Sequence, residues 1–413
     1  MMLGYFEDLI AGVEAKLQAT PPGEPRARKT FVLETAKLGA RLYSENSRVA
    51  WCGVVVPFDL MHAMGVTSCF AEFVGAMLAS TGTASPMLEV AEDAGYGTDG
   101  CSYHRAVTGA ALQHMMPEPD FLIGTTAPCS GGLAAIENLS RLFKKDLFVL
   151  HIPPQGGDEA VRFIADQLRR LVEFVGEHTG TPLDPARLSD AIDKSNQARE
   201  LLVETYQLAQ TVPSPARSRD LVNFGIVVAL LAGSDAGVEV ARTYRDEFAA
   251  RVAAEQAGVP GERLRLLWIQ NRIQFKHDLD ELLVSEYRAA IVVDELNDIT
   301  WDAVDPDDPF TGMARRILSV PFCTGTDHRI QSLQRLAKDY RVDGAINPCH
   351  WGCRQGSGTR GLVEAGLKRA GVPVLNLEVD CIDTRSFAPG QLRTRIEAFL
   401  EMLTERRQAI GQA

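Results

Sequence analysis

The sequence has no apolar stretch long enough to cross a bilayer. Its most apolar run, residues 224–233, is about half of the roughly 20 residues that a spanning helix needs. Basic excess is lacking too: 42 Lys and Arg stand against 54 Asp and Glu, a formal charge of −12. That balance argues against a protein that tracks nucleic-acid phosphates, because such proteins carry a basic stripe. It leaves room for a local basic pocket around a phosphate-bearing ligand. Residues 1–15 carry Glu7, Asp8 and Glu14 where a signal peptide would have a basic region and an apolar block. A cytoplasmic location, with neither membrane nor nucleic acid as partner, is therefore expected. No G-x4-G-K-[ST] loop, G-x-S-x-G elbow or H-E-x-x-H pair occurs, so the chain has no P-loop of its own.

What is present is a globular composition, 46% hydrophobic and 23% charged, over 413 residues. That length suggests two or three domains. Residues 5–17 and 30–44 read as helices, 48–56 as a β-rich run closed by Pro57, and 58–64 as a short helix. Residues 120–124 and 147–152 read as buried strands flanking a helix at 131–143. From 158 to about 258 the pattern is helical (160–177, 187–211 and 238–256), broken by Gly180-Thr181-Pro182 and Pro213-Ser214-Pro215. Alternation then resumes: strands at 264–269, 289–293, 344–347 and 372–379, helices at 278–287, 330–338 and 361–370. A final helix is marked by the stripe Leu392, Ile396, Phe399, Leu400 and Leu403. Strands alternating with helices imply parallel sheets covered on both faces. The expected fold is α/β: two doubly wound (Rossmann/flavodoxin-like) parallel-sheet domains, 1–157 and 259–413, with an intervening helical region, 158–258.

The eight cysteines do not suit a disulfide scaffold in a long cytoplasmic chain. Cys52, beside Trp51, and Cys69, before Phe70, read as small buried hydrophobes. Cys323 and Cys381 fit either that role or a ligand role. Three others sit in loops. Cys101 follows the glycine-rich turn 95–100, Cys129 lies just past one expected strand, and Cys353 just past another. In open parallel sheets, ligands collect at the carboxyl ends of strands, so these three are expected to converge on a cleft between the domains. Each also reads, singly, as a core residue. A [4Fe–4S] cube is usually held by four thiolates; three would leave one iron open to a substrate oxygen, the logic of catalytic metal sites. Arg105, Arg354 and the helix N-termini after Cys129 and Cys353 are expected to stabilise thiolate charge. His104 and His350 flank these loops as candidate donors, though loop histidines are commonly just solvated. Cys349 and Cys353 form a C-x3-C pair that also suits zinc, but no second close pair completes such a site.

The segment His350-Trp351-Gly352-Cys353-Arg354-Gln355 is followed by Gly371-Val372-Pro373-Val374-Leu375, Asp380-Cys381-Ile382-Asp383 and residues 390–401. Together these resemble the C-terminal signature of the 2-hydroxyacyl-CoA dehydratase family, which includes benzoyl-CoA reductase subunits and double-cubane-cluster proteins. Val56-Pro57 with Ala63-Met64-Gly65 is similar to that family's N-terminal segment, Cys101-Ser102-Tyr103-His104-Arg105 to its first cysteine loop, and Cys129 to its second. The resemblance implies a [4Fe–4S] cluster held by Cys101, Cys129 and Cys353. Cys353 is preferred to Cys349 for its distance to Gly371-Val372-Pro373. It further implies an acyl-CoA substrate, a homologous second subunit, and a separate ATP-hydrolysing activator iron–sulfur protein, which suits the missing P-loop. The implied reaction is dehydration of a 2-hydroxyacyl-CoA through a ketyl radical. The alternatives are reduction of benzoyl-CoA or another acceptor, and a non-catalytic electron relay. No catalytic side chain is assigned at this level. A shared cluster would tie the domains together, so its loss is expected to loosen their relative orientation.

Overall fold

The computed structural model describes residues 2–21, 23–217, 220, 230–298 and 302–411, so most of the apolar run at 224–233 lies outside the described residues. Four strands form the first sheet: β1 (Arg48–Cys52), β2 (Val66–Phe70), β3 (Phe121–Thr125) and β4 (Leu147–Leu150), in the order β2-β1-β3-β4. A second sheet repeats that order as β6-β5-β7-β8, from β5 (Leu264–Trp268), β6 (Ala289–Asp294), β7 (Gly344–His350) and β8 (Val374–Val379). Every pairing is parallel. The expected α/β fold with two parallel sheets of similar plan is what the chain adopts. Every residue of β3, β5, β6 and β7 is buried, as the interior of a parallel sheet covered on both faces demands.

Around the first sheet lie α1 (Met2–Gln18), α2 (Ala27–Leu42), α3 (Phe58–Ala63), α4 (Glu72–Ser80), α5 (Ala84–Asp93), α6 (Ser102–Leu112) and α7 (Ser130–Phe143). Next come α8 (Asp158–Thr179), α9 (Pro185–Ala209) and α10 (Asp235–Ala253). Helix α8 buries Val161, Ile164, Leu168, Leu171 and Val175, one face at helical spacing, and ends at Gly180 in the left-handed conformation. Helix α9 starts where the Asp184 carboxylate accepts from the Ala186 N–H at 2.9 Å, with Pro185 in the first turn. The second sheet carries α11 (Pro309–Ser319), α12 (Thr326–Asp339), α13 (Arg354–Arg369) and α14 (Pro389–Gly411).

Strand β2, helices α4, α5, α6 and α11, and the first two turns of α13 are additions to the sequence-based outline. Residues 278–287, expected as one helix, form a three-residue α-turn and then a π-turn at Leu282–Glu286. The α14 stripe behaves as expected. Leu392, Ile396, Phe399, Leu400 and Leu403 are all buried, while Arg393 and Glu397 pair on the outside at 2.8 Å.

One hydrophobic cluster runs without interruption from the first sheet (Trp51, Cys69, Leu122) to the second (Leu266, Ile346, Leu377). The other joins the far face of the first sheet to α8 and to Met313, Ala314 and Ile317 of α11. Helix α11 thus packs on the first half of the chain. There its Arg316 meets the fully buried Asp59 in a bidentate pair of 2.7 and 2.8 Å. The relative placement of the sheets therefore rests on shared core and buried charge. A bound cluster would add to these contacts rather than stand in for them.

Candidate functional site

Each sheet reverses its strand order at the gap between its first and third strands, which is where open α/β sheets gather ligands. The loops leaving β3 and β7 end on Cys129 and Cys353, which occupy equivalent places: each is the N-cap of the helix that follows. The Cys129 thiol accepts from the Gly132 N–H at 3.3 Å, and the Cys353 thiol from the Gly356 N–H at 3.4 Å. Cys101 is likewise the N-cap residue of α6. It follows no strand; the helix, unforeseen in sequence, is what places it. Three helix N-termini thus present three thiols, where backbone N–H groups and the helix dipoles favour negative charge.

These termini lie against one another. Gly352 adopts φ +73°, and a Cβ there would fall 2.6 Å from the Gly100 carbonyl carbon and 2.7 Å from the Cys101 nitrogen. The turn before Cys353 therefore rests directly on the backbone of Cys101. A Cβ on Gly131 would sit 3.4 Å from the His104 ring and 3.9 Å from the Cys129 sulfur, so α6 and α7 start side by side. Among the described residues, no three His, Cys, Asp or Glu side chains close on a single metal ion.

Burial pushes all three thiols up. For Cys129 it reaches about 11, with the Gly132 N–H opposing the rise and the nearby Glu72 and Cys353 adding to it. Cys101 rises first through burial and then through Cys353. Cys353 rises through burial, opposed by the Gly356 N–H and by Arg329. At neutral pH the free thiols are protonated, and a metal group would displace those protons on binding.

The histidines are not solvated loop residues. His104 lies on α6, its Nε2 3.2 Å from Glu72 Oε1. His350 ends β7 and is buried, with Nε2 3.5 Å from both the Cys101 sulfur and Ser102 Oγ. Burial lowers its pKa to about 4, against the pull of Asp380. Arg105 does not face the thiols as expected. It bonds the Gly100 carbonyl and the Glu92 carboxylate and lies 3.9 Å from Asp383. Arg354 is exposed.

Cys349 precedes His350 in β7, so the two side chains point to opposite faces of the sheet. Its thiol lies 3.6 Å from the Asn347 carbonyl and 3.7 Å from Asn376 Oδ1, on the side of β8. Cys52 and Cys69 are fully buried in the first sheet, and Cys323 is buried with its thiol pushed up to about 12. Cys381 is buried behind His350, whose Nδ1 accepts its backbone N–H at 3.0 Å.

Glu72 and Gln270 were not anticipated. Glu72 follows β2, and its Oε2 is buried without a hydrogen-bond partner among the described residues. Gln270 follows β5 at φ +61°, buried; its backbone N–H donates to Glu295 and its side-chain amide reaches Gln355 and the Cys353 thiol. The rule that picked Cys129 and Cys353 reaches Gln270 as well, since β5 was legible. It reaches Glu72 only once β2 is known. Ser102 donates to Asp380 at 2.7 Å, and Arg385 grips Glu92 with two bonds of 2.6 and 3.0 Å, fastening α5 and α6 to the loop after β8.

Comparison with known proteins finds relatives over most of the chain. The chain is 24% identical over 388 residues to the alpha subunit of lactoyl-CoA dehydratase from Anaerotignum propionicum, covering 86% of this chain and 90% of that one. It is 22% identical over 380 residues to the (R)-phenyllactyl-CoA dehydratase alpha subunit of Clostridium sporogenes, covering 88% and 91%. Identity to a benzoyl-CoA reductase subunit of Thauera aromatica is 25% over 354 residues, 79% of this chain and 82% of that one. Residues 53–403 match the family described as 2-hydroxyglutaryl-CoA dehydratase, D-component, and the chain belongs to that family of enzyme subunits.

Proposed function

We propose that this chain is the iron–sulfur subunit of an activator- and ATP-dependent 2-hydroxyacyl-CoA dehydratase, with Cys101, Cys129 and Cys353 as the cluster ligands. The observation that supports the reading is that three helices begin on N-cap cysteines and that their first turns pack together, Gly352 on the backbone of Cys101 and Gly131 beside His104. The donor set suits a polynuclear group. A cube spreads its ligand sulfurs further apart than a single ion does, and each thiol has N–H donors ready for a charged sulfur. When bound, the group would supply a single low-potential electron and an iron position free for a thioester oxygen.

The chain's own residues do the rest. Gly132 and Gly356 hold two of the sulfurs through their N–H groups. Glu72 and His104 form a hydrogen-bonded pair beside Cys129, with Glu72 Oε2 open to take or return a proton. Loss of water from a 2-hydroxyacyl thioester needs one proton removed from C3 and one delivered to the departing hydroxyl, with no net oxidation. This pair suits either transfer. The electron would come from a separate ATP-hydrolysing activator, and a homologous second subunit would complete the enzyme; the alpha-subunit names of the dehydratase relatives support that partner.

The similarity to a benzoyl-CoA reductase subunit favours a second reading, reduction of an aromatic or other acyl-CoA at the same site. The test is anaerobic reconstitution with iron and sulfide. About four irons per chain are expected for one cube. Cys101→Ala, Cys129→Ala or Cys353→Ala should strip most of that iron, and Cys52→Ala should not. Loaded protein is then assayed with partner subunit, activator, ATP and reductant on 2-hydroxyacyl-CoAs and on benzoyl-CoA. Turnover of the former supports dehydration and turnover of benzoyl-CoA the second reading. Full iron retention by a variant carrying all three alanine substitutions refutes the site.

A further inference from the structure

We propose that His350 is a positioning residue. Its Nε2–H donates to the Cys101 sulfur, orients it, and raises the reduction potential of the iron–sulfur group that sulfur would hold. This inference rests on the cluster reading above and extends it to a side chain that is not a ligand.

The tautomer follows from the hydrogen bonds. The backbone N–H of Cys381 donates to Nδ1 at 3.0 Å, so Nδ1 carries a lone pair and the proton of the neutral ring is on Nε2. Asp380 Oδ1 stands 3.8 Å from Nδ1, outside hydrogen-bond distance, and is already engaged by Ser102 Oγ and the N–H groups of Ile382 and Asp383. Two acceptors lie 3.5 Å from Nε2, the Cys101 sulfur and Ser102 Oγ. The Ser102 proton is committed to Asp380 at 2.7 Å, so that hydroxyl offers only lone pairs. Once Cys101 is a thiolate, charge makes it the stronger acceptor. The ring cannot turn away. It is buried and packs edge-on against Tyr103 with centroids 5.3 Å apart. All three thiols meet N–H groups of their own helices, but Cys101 alone among them is also approached by a buried imidazole. A hydrogen bond to a ligand sulfur stabilises the electron added on reduction, so its removal lowers the potential.

The test uses the reconstituted full chain, with iron content and an EPR-monitored redox titration as readouts. His350→Leu removes the donor and His350→Gln keeps one. The expected result is iron in both variants, a negative shift of the midpoint in His350→Leu, and partial recovery in His350→Gln. An unchanged midpoint in iron-loaded His350→Leu overturns the proposal. If that variant does not fold, protein labelled with [15N]histidine and carrying His104→Gln decides. A ring-nitrogen hyperfine coupling to the reduced group supports the donor, and its absence overturns it. Wild-type protein that takes up no iron overturns the cluster reading itself and the proposal with it, whereas loaded protein with an unmoved midpoint overturns the proposal alone.

Discussion

Replacing Gly352 by alanine tests the seam that brings the first and second halves of the site together. Two separate penalties act there. A side chain at φ +73° is held in the left-handed region, which costs about 1–2 kcal/mol for an ordinary L-residue. The new methyl would also lie 2.6 Å from the Gly100 carbonyl carbon, a backbone atom that cannot swing aside, and overpacking of this kind adds about 1–3 kcal/mol. Gly371 separates the two terms. Its φ is +79°, yet a Cβ there meets only the Arg406 guanidinium at 3.8 Å, so Gly371→Ala carries the backbone term alone. Gly325, with nothing within 4 Å and an ordinary φ, serves as the mild control, losing only the preference of an N-cap for glycine over alanine. Urea unfolding should rank the variants Gly325→Ala, Gly371→Ala, Gly352→Ala in order of increasing loss, the last at about 2–5 kcal/mol. Because the clash falls on the backbone of Cys101, Gly352→Ala should also lose reconstituted iron while Gly371→Ala keeps it. Equal stability and equal iron in Gly352→Ala and Gly371→Ala would refute the contact.

Phe399→Ala should destabilise by about 3–5 kcal/mol, since the ring is buried against the start of β7, where a Cβ on Gly344 would meet it at 2.9 Å; an unchanged urea midpoint would mean that α14 is not docked there. Arg316→Ala should lose about 3–5 kcal/mol at neutral pH by stranding the buried Asp59. Burial acts to raise the Asp59 pKa, but the Arg316 charge and hydrogen bonds outweigh it and hold the carboxyl below its usual range. The pair's contribution is therefore complete above the unfolded value of about 3.9 and fades as pH falls through the lower folded value, so the two unfolding curves should converge in acid. Cys349→Ser should retain iron and Cys353→Ser should lose it; the reverse result would move the third ligand into β7.

Sequence reading reached the strands that are mostly apolar, Arg265 in β5 notwithstanding. Leu264 to Trp268 and Ala289 to Val293 are short, rich in branched and aromatic residues and bounded by polar segments, which favours a doubly covered strand, and the covered strand is what forms. Val66-Thr67-Ser68-Cys69-Phe70 escaped because its polar middle imitates a loop, although Ser68 is buried beside β1. Helix α6 escaped because Ser-Tyr-His-Arg after a glycine-rich turn carries no apolar period until Ala106. The first turns of α13 hid behind Gly356, Ser357 and Gly358 for the same reason. In the site, the thiols at strand ends were legible from local position. The bonds from Ser102 to Asp380 and from His350 to Cys101 were not, because they join residues hundreds of positions apart and depend on how the sheets meet.

The unbroken core that joins the two sheets fixes the strand ends that flank the site. Trp51 and Leu122 on one side and Leu266 and Ile346 on the other belong to a single packed body, so the walls cannot swing apart without tearing apolar surface open to water. A ligand reaching the thiols would therefore meet strand ends already held in place. Shielding the thiols from solvent would then fall to whatever covers this surface, including the exposed Trp351 two residues before Cys353. A frame this rigid thus leaves the exclusion of water to the guest, or to the neighbour that covers it.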